Sequence, residues 1–180
     1  TEINERGVVH EGNKYPLDVL IYATGFQWMA TSTFNMITGS DGKTLQDKWK
    51  QGGTKTFLGL HSHGFPNLFI ISGPQGGGGQ FNFTRVIDAH ADYVVWMLET
   101  LKEKGAETVD IKQDAENAYA EHCREADIKT QPLRDCISYY NGHGDGEPGS
   151  LAYYGGAKKW HEKRQEAQES MEAYVFGNST

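Results

Sequence analysis

The sequence predicts an α/β fold, and three observations carry that prediction. Two short apolar runs, residues 18–23 and 68–72, read as interior strands. Each ends in a glycine-bearing turn, Thr24-Gly25 after the first and Gly73 through Gly79 after the second. The second turn feeds a long amphipathic helix that starts at about Phe83. Strand, turn and helix in that order build layered α/β folds, whose ligands sit beyond the carboxyl ends of the strands.

The elements follow in chain order. Val8, Val9 and His10 face Lys14 and Tyr15 across a turn at Gly12-Asn13, which predicts a hairpin. Residues 18–23, "DVLIYA", are short enough for a strand buried on both faces. Residues 27–56 are loop with short elements around Trp28-Met29 and over 45–49, punctuated by Gly39, Asp41-Gly42 and Gly52-Gly53. Residues 57–60 suggest a short strand. From Phe83 onward Val86, Ile87, His90, Tyr93, Val94, Met97, Leu98 and Leu101 recur at helical spacing, and Gly105 marks the stop. Residues 109–112 suggest another strand. A second helix over 114–128 has Asp114 as its cap and turns Ala118, Tyr119, His122 and Cys123 inward. Residues 131–156 form a long glycine-rich loop of the kind that carries binding segments. The tail, 158 to about 174, is charged and helical.

Composition removes several function classes. At 180 residues the chain can bury one sizeable core. Net charge is -7 with no long basic run, so a nucleic-acid footprint is excluded. No apolar run reaches the length of a membrane span. Cys123 and Cys136 form neither a disulfide framework nor a metal-binding spacing, which fits reduced thiols in the cytoplasm.

Chemistry-bearing residues give few self-contained sites. His61 and His63 sit two apart on a loop without nearby cysteines or paired carboxylates, poor ground for a metal. His122 and Cys123 are adjacent on a helix and point apart, so they make no activated dyad. His90 on the apolar helix face reads as a core histidine, and Arg85 in the first helical turn as a surface or packing residue. The Gly76–Gly79 run matches neither GxGxxG nor a phosphate loop. It can be a flexible tether. It can also let the backbone approach a planar ligand, with the free N–H groups of the following helix turned toward an oxygen that carries partial negative charge.

Two longer stretches resemble a known family. "DVLIYATGF", residues 18–26, resembles the Asp-x-x-x-x-Ala-Thr-Gly-Phe/Tyr segment of flavin-dependent class B monooxygenases. "GFPNLFIISGPQ", residues 64–75, resembles the Gly-Phe-Pro-Asn-Leu-Phe and Gly-Pro segment of their Baeyer–Villiger branch. The helix "NFTRVIDAHADYVVWML" and the later "SYYNGHGDGEPG", residues 138–149, follow in the family's order. The resemblance covers nearly the whole chain.

That resemblance implies the C-terminal part of a flavoprotein with two dinucleotide-binding domains, ending in a helical tail. Residues 1–105 would complete the FAD-binding domain, with 18–26 at the hinge to the NADP domain. Residues 106–180 would be a helical extension carrying, over 131–156, a loop that closes on NADP and substrate. Such enzymes use FAD, NADPH and dioxygen to insert one oxygen atom into a ketone, giving an ester or lactone. Cofactor contacts are implied for Thr24 and Gly25 where the domains join, for Pro74 and Gln75 in the turn, and for Gln80, Asn82 and Phe83 at the flavin's pyrimidine edge. Tyr139 stands where many relatives have Trp, on the NADP side. In the family the GxGxxG fingerprints, the Phe-x-Gly-x-x-x-His-x-x-x-Trp signature and the catalytic arginine all precede the Ala-Thr-Gly motif, and none of them stands ahead of it in these residues. No catalytic residue is therefore expected in this chain, which needs an N-terminal portion as partner and should not catalyse alone. Alone it should self-associate through apolar surface. The alternative reading is a non-catalytic binding or dimerisation domain that keeps the fold of this segment.

Overall fold

The computed structural model describes residues 1–25, 32–77, 82–130 and 151–178. Helix and strand are mixed along the chain, as expected, but the described sheets are antiparallel. The first comprises β1 (Glu2–Asn4), β2 (Gly7–His10) and β3 (Asn13–Pro16), in that spatial order. His10 pairs with Asn13, so the hairpin turns at Glu11-Gly12 and not at Gly12-Asn13. Both turn residues take positive φ, 48° and 81°, the handedness that a tight hairpin demands.

Residues 18–23 do not form the expected interior strand. They form no regular element and lie open, with Val19 74% and Ile21 82% exposed. A strand apolar on both faces is stable only between neighbours, and no described strand pairs with it. The expected elements at Trp28-Met29 fall outside the described residues. Next come α1 (Ser32–Met36) and α2 (Leu45–Gly52). Thr44 starts α2 with a capping box: its hydroxyl accepts from the Asp47 N–H, and the Asp47 carboxylate accepts from the Thr44 N–H. Leu45 and Trp49 pack with Phe65 in a small cluster, and Phe34 meets the Trp49 ring edge-on at 5.0 Å.

Residues 57–72 are turns where two strands were expected. Phe57 and His61 make only an isolated bridge, and the Ile70 N–H donates to the Leu60 carbonyl at 2.7 Å. The segment is apolar because it lies on the core, and its turns exclude ladder pairing.

The long helix, α3 (Phe83–Lys104), matches its expected limits. Asn82 caps it by accepting from the N–H groups of Thr84 and Arg85, and Gly105 closes it in the left-handed conformation. Its buried stripe is Ala89, His90, Tyr93, Met97, Thr100 and Leu101. Leu98, expected on that stripe, is 54% exposed. It belongs to a second apolar stripe, offset around the helix, that also includes Phe83, Ile87 and Val94.

Strand β4 (Thr108–Ile111) leads into α4 (Gln113–Thr130). Asp114 lies inside the first turn of α4 and not before it as a cap. Tyr119 and Cys123 are buried, His122 is half-buried, and Ala118 faces outward, contrary to expectation. The tail holds α5 (Ala157–Ser170) and a strand that periodicity did not reveal, β5 (Tyr174–Gly177). β5 pairs antiparallel with β4, Ile111 opposite Tyr174. The main core draws on the 57–60 turn, α3, β4, α4, Tyr153, α5 and β5. Trp160 of α5 is buried there, and its indole N–H donates to the Leu58 carbonyl at 3.2 Å. Among the described residues no helix is long and apolar enough to cross a membrane.

Candidate functional site

The turn at 73–76 is built by Pro74 and Gln75. The Gly76 N–H donates to the Gly73 carbonyl at 3.1 Å, which places Pro74 and Gln75 at the two central positions. Gln75 has φ of 64°, as the second central residue of a type II turn requires. Glycine or asparagine is usual there. The glutamine is held by its side chain, which is 2% exposed. Its Oε1 accepts from the Thr56 N–H at 3.0 Å, and its Nε2 donates to the Thr54 carbonyl at 3.2 Å.

Gly76 then passes through a constriction. A Cβ there would meet His90 Cε1 at 2.7 Å and Gly59 Cα at 3.1 Å. Gly59, at φ 73°, presses its own backbone against Gly76. The first glycine of the run is thus set by contact with another chain segment and with a histidine. His90 is buried, and its Nδ1 accepts from the Ser72 N–H at 3.0 Å. Burial pulls its pKa down to about 4, so the ring is neutral near pH 7.

On the far side of the run, Asn82 occupies both the Thr84 and Arg85 N–H groups. The Phe83 N–H has no acceptor among the described residues. The positive end of α3 therefore opens at Phe83, whose side chain is 66% exposed. Thr24 and Gly25 end the exposed stretch, Gly25 with φ of 74°. Of the expected contact residues, Pro74 and Gln75 stand before the glycine run and Asn82 and Phe83 after it. Gln80 and Tyr139 lie outside the described residues. The inward clamp of Gln75, and Gly59 as its neighbour, were missed, because their partners are distant along the chain and leave no local signal.

The other chemistry-bearing residues are spoken for. His61 Nε2 lies 3.0 Å from the Tyr93 hydroxyl, and His63 Nδ1 lies 2.6 Å from the Ile111 carbonyl, so the two rings serve different partners. Among the described residues no group of three or more His, Cys, Asp or Glu side chains is placed to hold a metal. Burial pushes the Cys123 thiol well above its usual range, while His122 is engaged with the Tyr153 hydroxyl at 3.0 Å. Arg85 borders a cavity of about 540 Å³ between α3 and α5, with Asp88, Trp160, His161 and Arg164.

No protein-family model matches the chain. Among curated proteins, a Baeyer–Villiger monooxygenase of Penicillium patulum is 34% identical over 96% of this chain and 30% of its own length. A Baeyer–Villiger monooxygenase of Streptomyces coelicolor is 37% identical over 94% of this chain and 29% of its own length. A crystal structure of closed cyclohexanone monooxygenase superposes with a TM-score of 0.75, at 26% identity, over 99% of this chain and 34% of the other. OTEMO in complex with FAD and NADP superposes at 0.71, with 26% identity, over 98% of this chain and 33% of the other. The chain spans about 30% of the length of the curated relatives that it matches. In sequence and in fold, it corresponds to a segment of the Baeyer–Villiger monooxygenases.

Proposed function

We propose that this chain is the C-terminal part of an FAD- and NADPH-dependent monooxygenase of the cytoplasm that converts a ketone to an ester or lactone. The observation that carries the reading is the start of α3, where Asn82 caps the N–H groups of Thr84 and Arg85 and no acceptor among the described residues takes that of Phe83, beside the glycine run. FAD, when bound, supplies the oxygen-activating chemistry. The residues present fit one edge of a flavin and not its pyrophosphate: the sequence's Gly144-x-Gly146-x-x-Gly149 belongs to the glycine-rich segment 131–156 and does not follow a predicted strand into a helix. The Phe83 N–H would donate to a ring carbonyl, and the positive helix end would favour negative charge there. Gln80 and Asn82 would flank that edge, Pro74 and Gln75 would shape the approach, and Thr24 and Gly25 would stand where the two dinucleotide domains join. Tyr139 would serve the NADP side.

Two exposed apolar features support a larger partner. The 18–22 stretch and the stripe of Phe83 and Leu98 on α3 present apolar surface that nothing among the described residues covers. In this reading an N-terminal portion of the same enzyme covers them, and the FAD-binding domain takes in residues 1–105. Residues 106–180 form the extension that bears the closing loop 131–156.

The test is to purify the complete gene product and this chain separately, then measure bound FAD and ketone-dependent NADPH consumption with analysis of the product. The expected result is a yellow complete protein that forms an ester or lactone and a colourless, inactive isolated chain. A complete protein that binds neither cofactor would leave a non-catalytic binding or dimerisation domain in its place.

A further inference from the structure

Gln75 spends every polar group it has on the protein itself. Its N–H donates to the Leu151 carbonyl at 2.9 Å, and its carbonyl accepts from the Tyr119 hydroxyl at 2.9 Å. Its side-chain amide is consumed by Thr54 and Thr56. One residue thereby joins four segments: the approach to the 57–60 turn, the 73–76 turn, α4 and the stretch from residue 151. Two residues further on, the Tyr153 N–H donates to the Gly77 carbonyl at 3.3 Å, and the Tyr153 side chain is buried. Residues 75–77 and 151–153 are therefore laced along their backbones.

The backbone at Gln75 makes the arrangement pointed. A non-glycine residue at φ 64° is uncommon, and such outliers persist where the surroundings over-determine them. Glycine would take this φ without strain, yet it could not reach Thr54 and Thr56. The side chain is buried, its oxygen accepting twice from Thr56 and its nitrogen donating to the Thr54 carbonyl.

We infer that Gln75 is a positioning residue: it clamps the turn that leads into the glycine run to residues 151–153, so that both are held as one unit beside the start of α3. The functional half of this inference rests on the proposed flavin site; the clamp does not. In the clamp, Tyr119 and Thr56 secure the turn from beneath, and Leu151 and Tyr153 close it from the side. Loosening Gln75 releases 73–77 and 151–153 together.

The test uses Gln75→Gly, which keeps the favoured φ and removes only the side-chain bonds. In the complete gene product, amide hydrogen exchange is measured across the chain alongside the visible spectrum of bound flavin and the KM for ketone. The expected result is exchange faster by roughly tenfold or more in both 73–77 and 151–153, tenfold being the ratio for about one hydrogen bond where three are removed. β4 and β5 keep wild-type exchange, the flavin bands shift and KM rises. Acceleration in one segment only, or across the whole chain, overturns the clamp. Joint acceleration with a wild-type flavin spectrum and KM overturns the positioning role. A wild-type protein that carries no flavin refutes the proposed function, and the exchange pattern alone then decides the clamp.

Discussion

Lys48 Nζ lies 2.8 and 2.9 Å from the two carboxylate oxygens of Glu116, joining α2 to the first turn of α4. The Glu116 side chain is 2% exposed and also accepts from the Ser62 hydroxyl and the His63 N–H. Three donor groups, in four hydrogen bonds, thus satisfy a buried carboxylate, and Lys48 supplies the charge that balances it. Burial lowers the Lys48 pKa, and Glu116 acts in the opposite direction. Replacing Glu116 by Leu leaves the ammonium group with the Ser62 hydroxyl and the His63 carbonyl but without this counter-charge, and removes the acceptor of two further donors. Loss of one partner of a buried pair costs about 3–5 kcal/mol. Urea unfolding of Glu116→Leu should show that loss, and adding Lys48→Met should recover part of it.

The two buried histidines set an acid limit on stability. Burial lowers His61 to about 3 and His90 to about 4, from the ordinary histidine value of 6.5. Below pH 6.5 the unfolded chain takes up protons that the folded chain refuses. Their stabilising contribution is fully present above 6.5 and is lost as pH falls toward 4 and then 3. Each group adds at most about 1.4 kcal/mol per pH unit within its window. Unfolding midpoints between pH 7 and 4.5 should fall steeply for the wild type. His61→Gln, which keeps a polar group near Tyr93, should flatten the slope.

Gly59 and Gly76 touch backbone to backbone, and only residues without a Cβ fit. Gly76→Ala must displace the edge of the His90 ring, a buried side chain packed against Trp160. Overpacking of this kind costs about 1–3 kcal/mol. Gly59→Ala meets backbone atoms of Gly76 and also takes φ of 73°, so its loss should be the larger. Thermal unfolding of the two variants side by side checks the order.

Much of the fold was legible where the information is local. The 83–104 helix announced itself through helical spacing and the Gly105 stop, and β4 and the first hairpin through short β-rich runs and a glycine turn. What failed depends on partners distant in sequence. Residues 18–23 carry a strand's composition, but a strand needs neighbours, and none is present among the described residues. β5 is four residues, Tyr174–Gly177, too short for periodicity, and its existence follows from pairing with β4. Leu98 satisfied the spacing of the buried stripe yet lies on a second apolar face, because α3 carries apolar residues on more than one side. At the site, Gly-Pro followed by glycines correctly marked a tight turn. That Gln75 points inward could not be read, since its partners at Thr54, Thr56, Tyr119 and Leu151 are brought together only by the fold.

The central claim, that the start of α3 faces a flavin ring, has a direct measurement. Proline is tolerated at the first position of a helix, where it removes the N–H and little else. In the complete gene product, the flavin reduction potential of Phe83→Pro should be compared with that of Phe83→Ala, which lacks the ring but keeps the donor. Loss of a hydrogen bond to a charged acceptor is worth about 1.5–3 kcal/mol, or roughly 30–65 mV for a two-electron couple. The account predicts that Phe83→Pro lies more negative than Phe83→Ala by about that amount. Equal potentials in the two variants would contradict it.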